Sequence, residues 1–259
     1  MIKAMYTAAA GMTAQQTEVD VIANNLANVN TAGFKKSMTH FEDLLYLTLT
    51  QPGAAMRSGT GISGLQIGSG ARLMGTTKTH TQGVIAQTGN FLDMAIQGDG
   101  FFEIEGPVGE RFYTRDGHFT KDANGELVTA GGYRLIPSIT VPQEATQISI
   151  TKDGTVSYQL NDTNPQIGQV TLVRFVNPAG LSSEGGNLFR ATAASGDPQT
   201  VIPGQEGAGQ ILQGAIERSN VDVANELIQL ILAQRAFEVN SKAIKTSDEM
   251  LNTTNNLTR

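Results

Sequence analysis

The sequence predicts an α+β protein: long N- and C-terminal helices forming a coiled-coil domain, plus an antiparallel, partly barrel-like β domain between them. Three observations predict it. A seven-residue apolar repeat runs through each end of the chain. Glycine-bearing turn pairs punctuate the middle, between short runs of β-branched and aromatic residues. Charged residues make up only 16% of the 259, against about 25% in ordinary globular domains, so much of the surface is expected to be covered by something other than water. The division that follows is residues 1–30 and 219–259 as terminal helices, 31–70 as an extended connector and 71–218 as the β domain.

In the first helix Met5, Met12, Val19 and Leu26 lie seven apart, with Ala8, Gln15, Ile22 and Val29 three further on. That is an a/d seam with one polar break, sustained over about four heptads. The other faces hold Ala, Thr, Gln and Asn, and only Lys3, Glu18 and Asp20 carry charge before Lys35. A solvated outer helix face is normally charged; this one is small, neutral and suited to contact with protein. Gly11 costs about 1 kcal/mol against Ala in mid-helix, which is tolerable where another backbone comes close. The opening MIKAMYTAAAGM has the alanine run of a leader, but Thr7 interrupts it and the helical pattern continues through any cleavage point, so it reads as mature sequence.

The helix is expected to end in the stretch NNLANVNTAGFKK, which puts Asn24, Asn25, Asn28 and Asn30 in seven residues and then Gly33. Asparagine tolerates and glycine freely adopts the left-handed φ that ends helices. Lys35 and Lys36 follow, where positive charge suits a helix C-terminus. The asparagines also offer donors and acceptors that satisfy neighbouring backbone without burying charge. From Gln51 to Gly70 a Gly/Ser-rich stretch with Pro52 reads as an extended or flexible connector.

In the middle, Gly89-Asn90, Asp99-Gly100, Asp116-Gly117, Asn124-Gly125, Gly131-Gly132 and Asp153-Gly154 mark turns. They separate strand-like runs such as FFEIE (101–105), ELVT (126–129), YRLI (133–136) and VTLVRFV (170–176). The last helix opens at Ser219-Asn220-Val221-Asp222, a capping-box pattern. Val223, Leu230, Phe237, Ile244 and Leu251 then repeat every seven residues, and the companion row Leu227, Gln234, Ser241, Asp248, Asn255 turns polar after its first member. At 1.5 Å per residue this helix spans roughly 55–60 Å, too long for a strut on a small domain.

Catalytic and ligand-binding patterns are weak. GTGISG (59–64) has dinucleotide-loop spacing but neither the preceding strand nor the following helix that gives those glycines a role. His40, His80 and His118 lie far apart without ligand spacing and read as surface or strand histidines. Asp93, Asp99, Glu103 and Glu105 mimic a carboxylate cluster, but Glu103 and Glu105 alternate on one strand face and read as solvated. Asp122-Ala-Asn-Gly lacks the ligand series of a calcium loop. Cysteine is absent, removing thiolate chemistry and disulfides. A net charge of −6 argues against non-specific nucleic-acid binding. No apolar run reaches the ~18 residues of a membrane span, and the longest, Leu227 to Ala233, is broken by Gln229. No catalytic residue, metal site or cofactor is therefore assigned. The two helical ends pack either on each other and their own β domain or against other copies; charge depletion favours the second.

Several long stretches resemble the flagellar rod and hook protein family, the axial proteins of the bacterial flagellum. ANNLANVNTAGFKK resembles its N-terminal signature, with Asn24, Asn25, Leu26, Asn28, Gly33 and Phe34 as the matching positions. TQGVIAQTGNFLDMAIQGDGFF (81–102) resembles its central motif, and YTRDGHFTKDANGELVTAGGYRL (113–135) the hairpins after it. SNVDVANELIQLILAQRAFEVNSKAIKTSDEML (219–251) resembles its C-terminal helix. FEDLLYLTLTQPGA (41–54) with the Gly-rich stretch behind it is most similar to members that build the distal rod.

The resemblance implies a non-enzymatic structural subunit of the basal-body distal rod. Its terminal helices form an inner coiled-coil domain, the connector fills gaps between subunits, and the β domain lies outside. Copies polymerise helically into a hollow drive shaft that carries motor torque to the hook and lets exported subunits pass. Implied partners are the chain itself, proximal rod subunits, hook subunits, surrounding ring proteins and the flagellar export apparatus, with no nucleic acid and no membrane insertion. The implied location is the periplasm-spanning rod, reached without a cleaved signal peptide. The self-assembly seam is then Met5, Met12, Val19, Ile22 and Leu26 with Val223, Leu227, Leu230, Phe237, Ile244 and Leu251. The alternatives are another axial subunit, proximal rod or hook, and a periplasmic glycan-binding or peptidoglycan-cleaving β protein, which would need a pocket of convergent carboxylates.

Overall fold

The structure is a computed structural model describing residues 2–51, 55–56, 59–60, 64–142, 145, 147–159 and 164–257. Pro52 and most of the GTGISG loop lie outside the described residues. The chain is α+β and divides into two compact units. One comprises Met1–Leu26, Ser37–Thr77 and Val223–Arg259; the other comprises Ala27–Lys36 and Lys78–Asp222.

The first unit contains helices α1 (Ile2–Ala27) and α2 (Val223–Leu257). Their threonines and serines bond to carbonyls one turn back: Thr7 to Lys3, Thr13 to Ala9, Thr17 to Thr13, Thr246 to Lys242 and Ser247 to Ala243, at 2.8–3.1 Å. These hydroxyls are satisfied inside their own helix, and α1 carries charge only at Lys3, Glu18 and Asp20. The helices run antiparallel. Asn25, near the end of α1, meets Glu226 in the first turn of α2, while Gly11 faces the side chain of Asn240 further along. A Cβ on Gly11 would stand 3.0 Å from the Asn240 amide nitrogen, so the mid-helix glycine makes room for that side chain. No described helix is long and apolar enough to cross a membrane.

Short two-stranded ladders lie in this unit, among them Ala55–Met56 with Gly59–Thr60. Strand Ser37–Asp43 pairs with Ala71–Lys78, and Leu47–Thr50 pairs with Leu65–Ile67. The region read as a connector thus carries an extended two-stranded arm, whose Leu45, Leu47, Leu49 and Leu65 are exposed.

The second unit is built on a nine-stranded antiparallel sheet. Its main path runs Phe119–Lys121, Leu127–Thr129, Arg134–Ile136, Phe101–Glu105, Arg111–Thr114, Leu188–Arg190, Ser182–Gly185. Leu172–Arg174 also pairs with Phe101–Glu105, and Gln199–Val201 with Leu172–Arg174. Strand side chains alternate between faces, and here both faces are covered. Phe102, Ile104, Phe112, Leu172 and Leu188 enter one core; their neighbours Phe101, Tyr113, Val173 and Phe189 enter a second on the opposite face. Register sets the layers, with Phe102 opposite Leu172, Phe101 opposite Val173 and Tyr113 opposite Phe189. Each such side chain contributes about 1.5–3 kcal/mol on burial.

Three of the expected turn pairs make hairpins. Asn124-Gly125, Gly131-Gly132 and Asp153-Gly154 join hydrogen-bonded neighbours, each with its glycine at positive φ. Gly89-Asn90 and Asp99-Gly100 instead connect strands of different sheets, and Asp116-Gly117 joins strands that are not neighbours. Among the described residues the sheet stays open and closes into no barrel: the edge strands Phe119–Lys121 and Ser182–Gly185 are not paired to each other. Closure needs a consistent tilt and stagger around the whole circuit, which strands of three to five residues with crossover pairings do not supply.

Candidate functional site

The apolar surface of the helix pair is asymmetric. On α2 the side chains turned inward recur as Glu226, Leu230, Ala233, Asn240, Ile244, Ser247 and Leu251, buried or half-buried. Spacings of three and four mark one helix face. The companion of the Leu230–Ile244–Leu251 row is thus Glu226, Ala233, Asn240 and Ser247, three residues ahead of each heptad position. Leu227 lies off this face, 42% exposed, with Val223, Ile228, Ile231, Leu232 and Val239 also exposed. Phe237 remains 39% exposed at an open groove of about 490 Å³, lined by Gln16, Val19, Asp20, Gln234, Phe237 and Glu238. On α1, Ile22 is buried and Met5, Met12, Val19 and Leu26 are half-buried.

Asn25 fixes the crossing of the helix ends. Its amide donates to the Ser37 carbonyl at 2.9 Å and to Glu226 Oε2 at 3.2 Å, and its Oδ1 accepts the Ser37 N–H at 2.9 Å. Asparagine alone among small side chains both donates and accepts in this way. Glu226 sits in the first turn of α2, where the helix dipole favours negative charge. The helix starts at Val223, so Asp222 holds the preceding position, where aspartate is favoured. Ser219 Oγ instead accepts the Val221 N–H at 3.3 Å. Asn24 is exposed.

In the second unit the rest of the signature folds as a tight turn. Asn28 accepts from Thr31 through its carbonyl and its side chain, at 3.2 and 3.1 Å. Gly33 has φ +68°, and a Cβ there would lie 2.6 Å from the Asp116 nitrogen. Its N–H donates to the Glu217 carbonyl at 2.8 Å. The Phe34 ring lies 4.9 Å from Lys78 Nζ, and the Lys36 N–H donates to Asn220 Oδ1 at 2.8 Å.

Lys35 does not serve a helix terminus as the sequence suggested. It is fully buried, donating to Glu217 Oε1 at 2.6 Å and to the Thr81 carbonyl at 2.7 Å. Arg115 donates to Glu217 Oε2 at 3.2 Å and to the Gly98 carbonyl at 2.8 Å. The Gly83 N–H donates to Glu217 Oε1 at 2.7 Å. One carboxylate therefore joins two cations and a backbone amide, the satisfaction a buried charge requires. Burial pulls the Lys35 ammonium below its usual range, and Glu217 opposes the shift. Arg115 is lowered by burial and raised by Glu217 in the same way.

Beside this cluster a cleft of about 200 Å³ is lined by His80, Asp99, Phe101, Arg115, Arg174 and Phe175, with Gly100, Val176 and Pro178. His80 packs edge-on against Phe101 and Phe189 at 5.5 Å. Burial, then the charges of Lys35, Arg115 and Lys78, lower its pKa to about 4, so the imidazole is neutral at pH 7. Two buried polar atoms here, His80 Nδ1 and Arg115 Nε, have no hydrogen-bond partner among the described residues.

The other flagged residues are dispersed. His40 bonds Thr77 Oγ1 at 2.7 Å on an exposed strand, and His118 Nδ1 lies 2.9 Å from the buried Asp93. Glu103, read as solvated, is 4% exposed and takes Arg111 at 3.0 Å, because the sheet is covered on both faces. Among the described residues no group of three or more His, Asp or Glu is placed to hold a metal ion. Sequence reading missed Glu217, Arg115 and Glu226. Their partners lie 102 to 201 positions away, and the one local signal is a charge embedded in short apolar runs such as AIE (215–217).

Comparison with known proteins gives one consistent result. Residues 5–35 match the family described as flagella basal body rod protein, 95–158 the flagellar hook protein FlgE/F/G D1 domain, and 212–257 the flagellar basal body rod FlgEFG protein C-terminal region. The chain is 49% identical to the flagellar basal-body rod protein FlgG of Borreliella burgdorferi, covering all of both chains. It is 47% identical to FlgG of Buchnera aphidicola from Schizaphis graminum, over 97% of this chain and 98% of that one. It is 46% identical to FlgG of Caulobacter vibrioides, over 99% of each.

Proposed function

The chain belongs to the flagellar basal-body rod protein family, and we propose on that premise that it is a distal-rod subunit whose two helices complete their packing only against other copies. The observation that carries this is the outward apolar face of α2: Val223, Leu227, Ile228, Ile231 and Leu232 stay exposed along a helix that covers only part of itself with α1. Contiguous apolar surface of this kind marks protein contact. The low charge of α1 and the internally bonded hydroxyls of both helices support burial in protein.

In this reading the helices form the inner, coiled-coil layer of a hollow helical tube and the β unit the outer layer. Met5, Met12, Val19, Ile22 and Leu26 with Leu230, Phe237, Ile244 and Leu251 line the seam within and between copies, and Val223 and Leu227 face neighbours. The exposed leucine arm, built on Leu47–Thr50 and Leu65–Ile67, bridges subunits. The tube carries torque to the hook because each copy is held by apolar contacts along a helix of 35 residues. At about 1.5–3 kcal/mol per buried Leu or Phe, a few seam residues per copy sustain assembly. Proximal rod subunits, hook subunits and ring proteins adjoin it across the periplasm, and the subunit arrives through the export apparatus.

Electron microscopy and sedimentation of purified protein test this. The wild type should form tubes. Ile231→Asp and Leu232→Asp should abolish them while leaving the β unit's unfolding unchanged. Tubes of normal yield from both variants would refute the assignment of this face.

A further inference from the structure

We propose that the cleft between His80, Asp99, Arg115, Arg174 and Phe175 is a binding site for a carboxylate group. Arg115 forms the buried end. Its Nη1 and Nη2 donors are engaged by Glu217 and the Gly98 carbonyl, whereas its Nε–H is buried with no acceptor among the described residues. His80 Nδ1, on the same lining, is also buried without a partner. An unpaired buried donor is costly, so the Arg115 Nε–H at this cleft calls for an oxygen delivered from outside the fold.

Charge selects the kind of oxygen. Lys35, Lys78, Arg115 and Arg174 are opposed here by Glu217 and Asp99, which leaves positive charge in excess. A bound anion offsets that excess. Arg174 gives one Nη1 donor to the Glu206 carbonyl and keeps the rest of its guanidinium for a ligand at the cleft.

Shape sets the size. Phe101, Phe175, Val176 and Pro178 supply apolar wall around the polar end. At about 30 Å³ per water, the space holds on the order of six waters, or a carboxylate on a stem of a few carbons. The carboxylate is either the Asp or Glu side chain of another copy or a free small monocarboxylic acid. The recognition chemistry is the same.

Nitrogen-detected spectra of the full-length chain test the site by following the arginine Nε–H resonances and the His80 ring. Sodium propionate should shift Arg115 Nε–H and His80 saturably. Sodium chloride at equal ionic strength and propionamide, the neutral isostere, should not. Arg174→Gln should raise the half-saturating propionate concentration about tenfold, the loss of one charge-assisted hydrogen bond. Absence of a saturable shift, an equal response to propionamide, or wild-type titration of the variant would each overturn the proposal. The wild-type comparison with propionamide stands even if the variant misfolds. Sedimentation separates the sources: propionate slows self-association of the wild type if the occupant is a side chain of another copy, and leaves it unchanged if the occupant is a free acid.

Discussion

Lys35 and Glu217 stand 182 positions apart in the chain and meet at 2.6 Å with neither side chain exposed. The contact ties the turn after α1 to the last strand before α2. Arg115 shares the same carboxylate, so the three charges form one unit and their contributions are coupled. Lys35→Met should cost about 3 kcal/mol of stability, since Glu217 keeps Arg115 as a partner. Glu217→Gln should cost more, because it leaves two buried cations without a counter-charge. The double variant should lose less than the two single losses combined. Urea unfolding followed by circular dichroism measures all three, and strict additivity would contradict the shared-carboxylate arrangement.

Gly33→Ala should destabilise the second unit by about 1–3 kcal/mol. The residue is at φ +68°, and a methyl group would press on the Asp116 nitrogen and the Arg115 carbonyl carbon, both of them backbone atoms unable to swing aside. An unchanged unfolding midpoint would rule out this packing.

Asn25→Ala removes three hydrogen bonds, two to Ser37 and one to Glu226. At about 0.5–1.5 kcal/mol for an ordinary bond and more for one to a charge, the loss should reach roughly 2–4 kcal/mol. It should appear locally, as faster amide exchange at Ser37 and in the first turn of α2. Exchange that speeds up equally everywhere would point to a global effect instead.

His80 sets a pH dependence. Its folded pKa of about 4 lies below the ordinary value near 6.5, so between these values the unfolded chain binds the extra proton. Stability attributable to His80 is therefore full above about pH 6.5 and declines as pH falls towards 4, by up to about 3 kcal/mol. Below pH 4 both states are protonated and the decline stops. His80→Gln should flatten the stability profile between pH 6.5 and 5, where few carboxylates titrate. A variant with the wild-type slope would show that other groups carry it.

Among the described residues of α2, Glu226 and Ala233 are the buried ones, so the free subunit holds this helix through few contacts. Amide exchange in residues 241–257 of unassembled protein should be among the fastest in the chain, and assembly should slow it. Protection equal to that of the Phe101–Glu105 strand would mean a self-contained helix pair.

Much of this was legible in local patterns. The end of α1 was readable from Asn28 and Gly33, because helix termination depends on neighbouring residues alone. FFEIE coincided with the central strand Phe101–Glu105, and the NG, GG and later DG pairs marked true hairpins. Gly89-Asn90 and Asp99-Gly100 carried the same letters but turned the chain between sheets, since a two-residue turn fixes direction and not pairing partner. The inward row of α2 is offset from Leu227 because helix phase depends on the facing surface. Glu103 and Lys35 were misplaced for a related reason: alternation and charge say which way a side chain points, not whether another layer waits there to receive it.

The buried union of Lys35 with Glu217 also bears on timing. A chain made N-terminus first presents residue 35 early and residue 217 much later. Until then Lys35 and Arg115 lack the carboxylate that makes their burial tolerable, so the β unit cannot close around them before residue 217 is available. The same long-range closure slows folding once the whole chain is free. The moment of closure is thus written into where one glutamate sits.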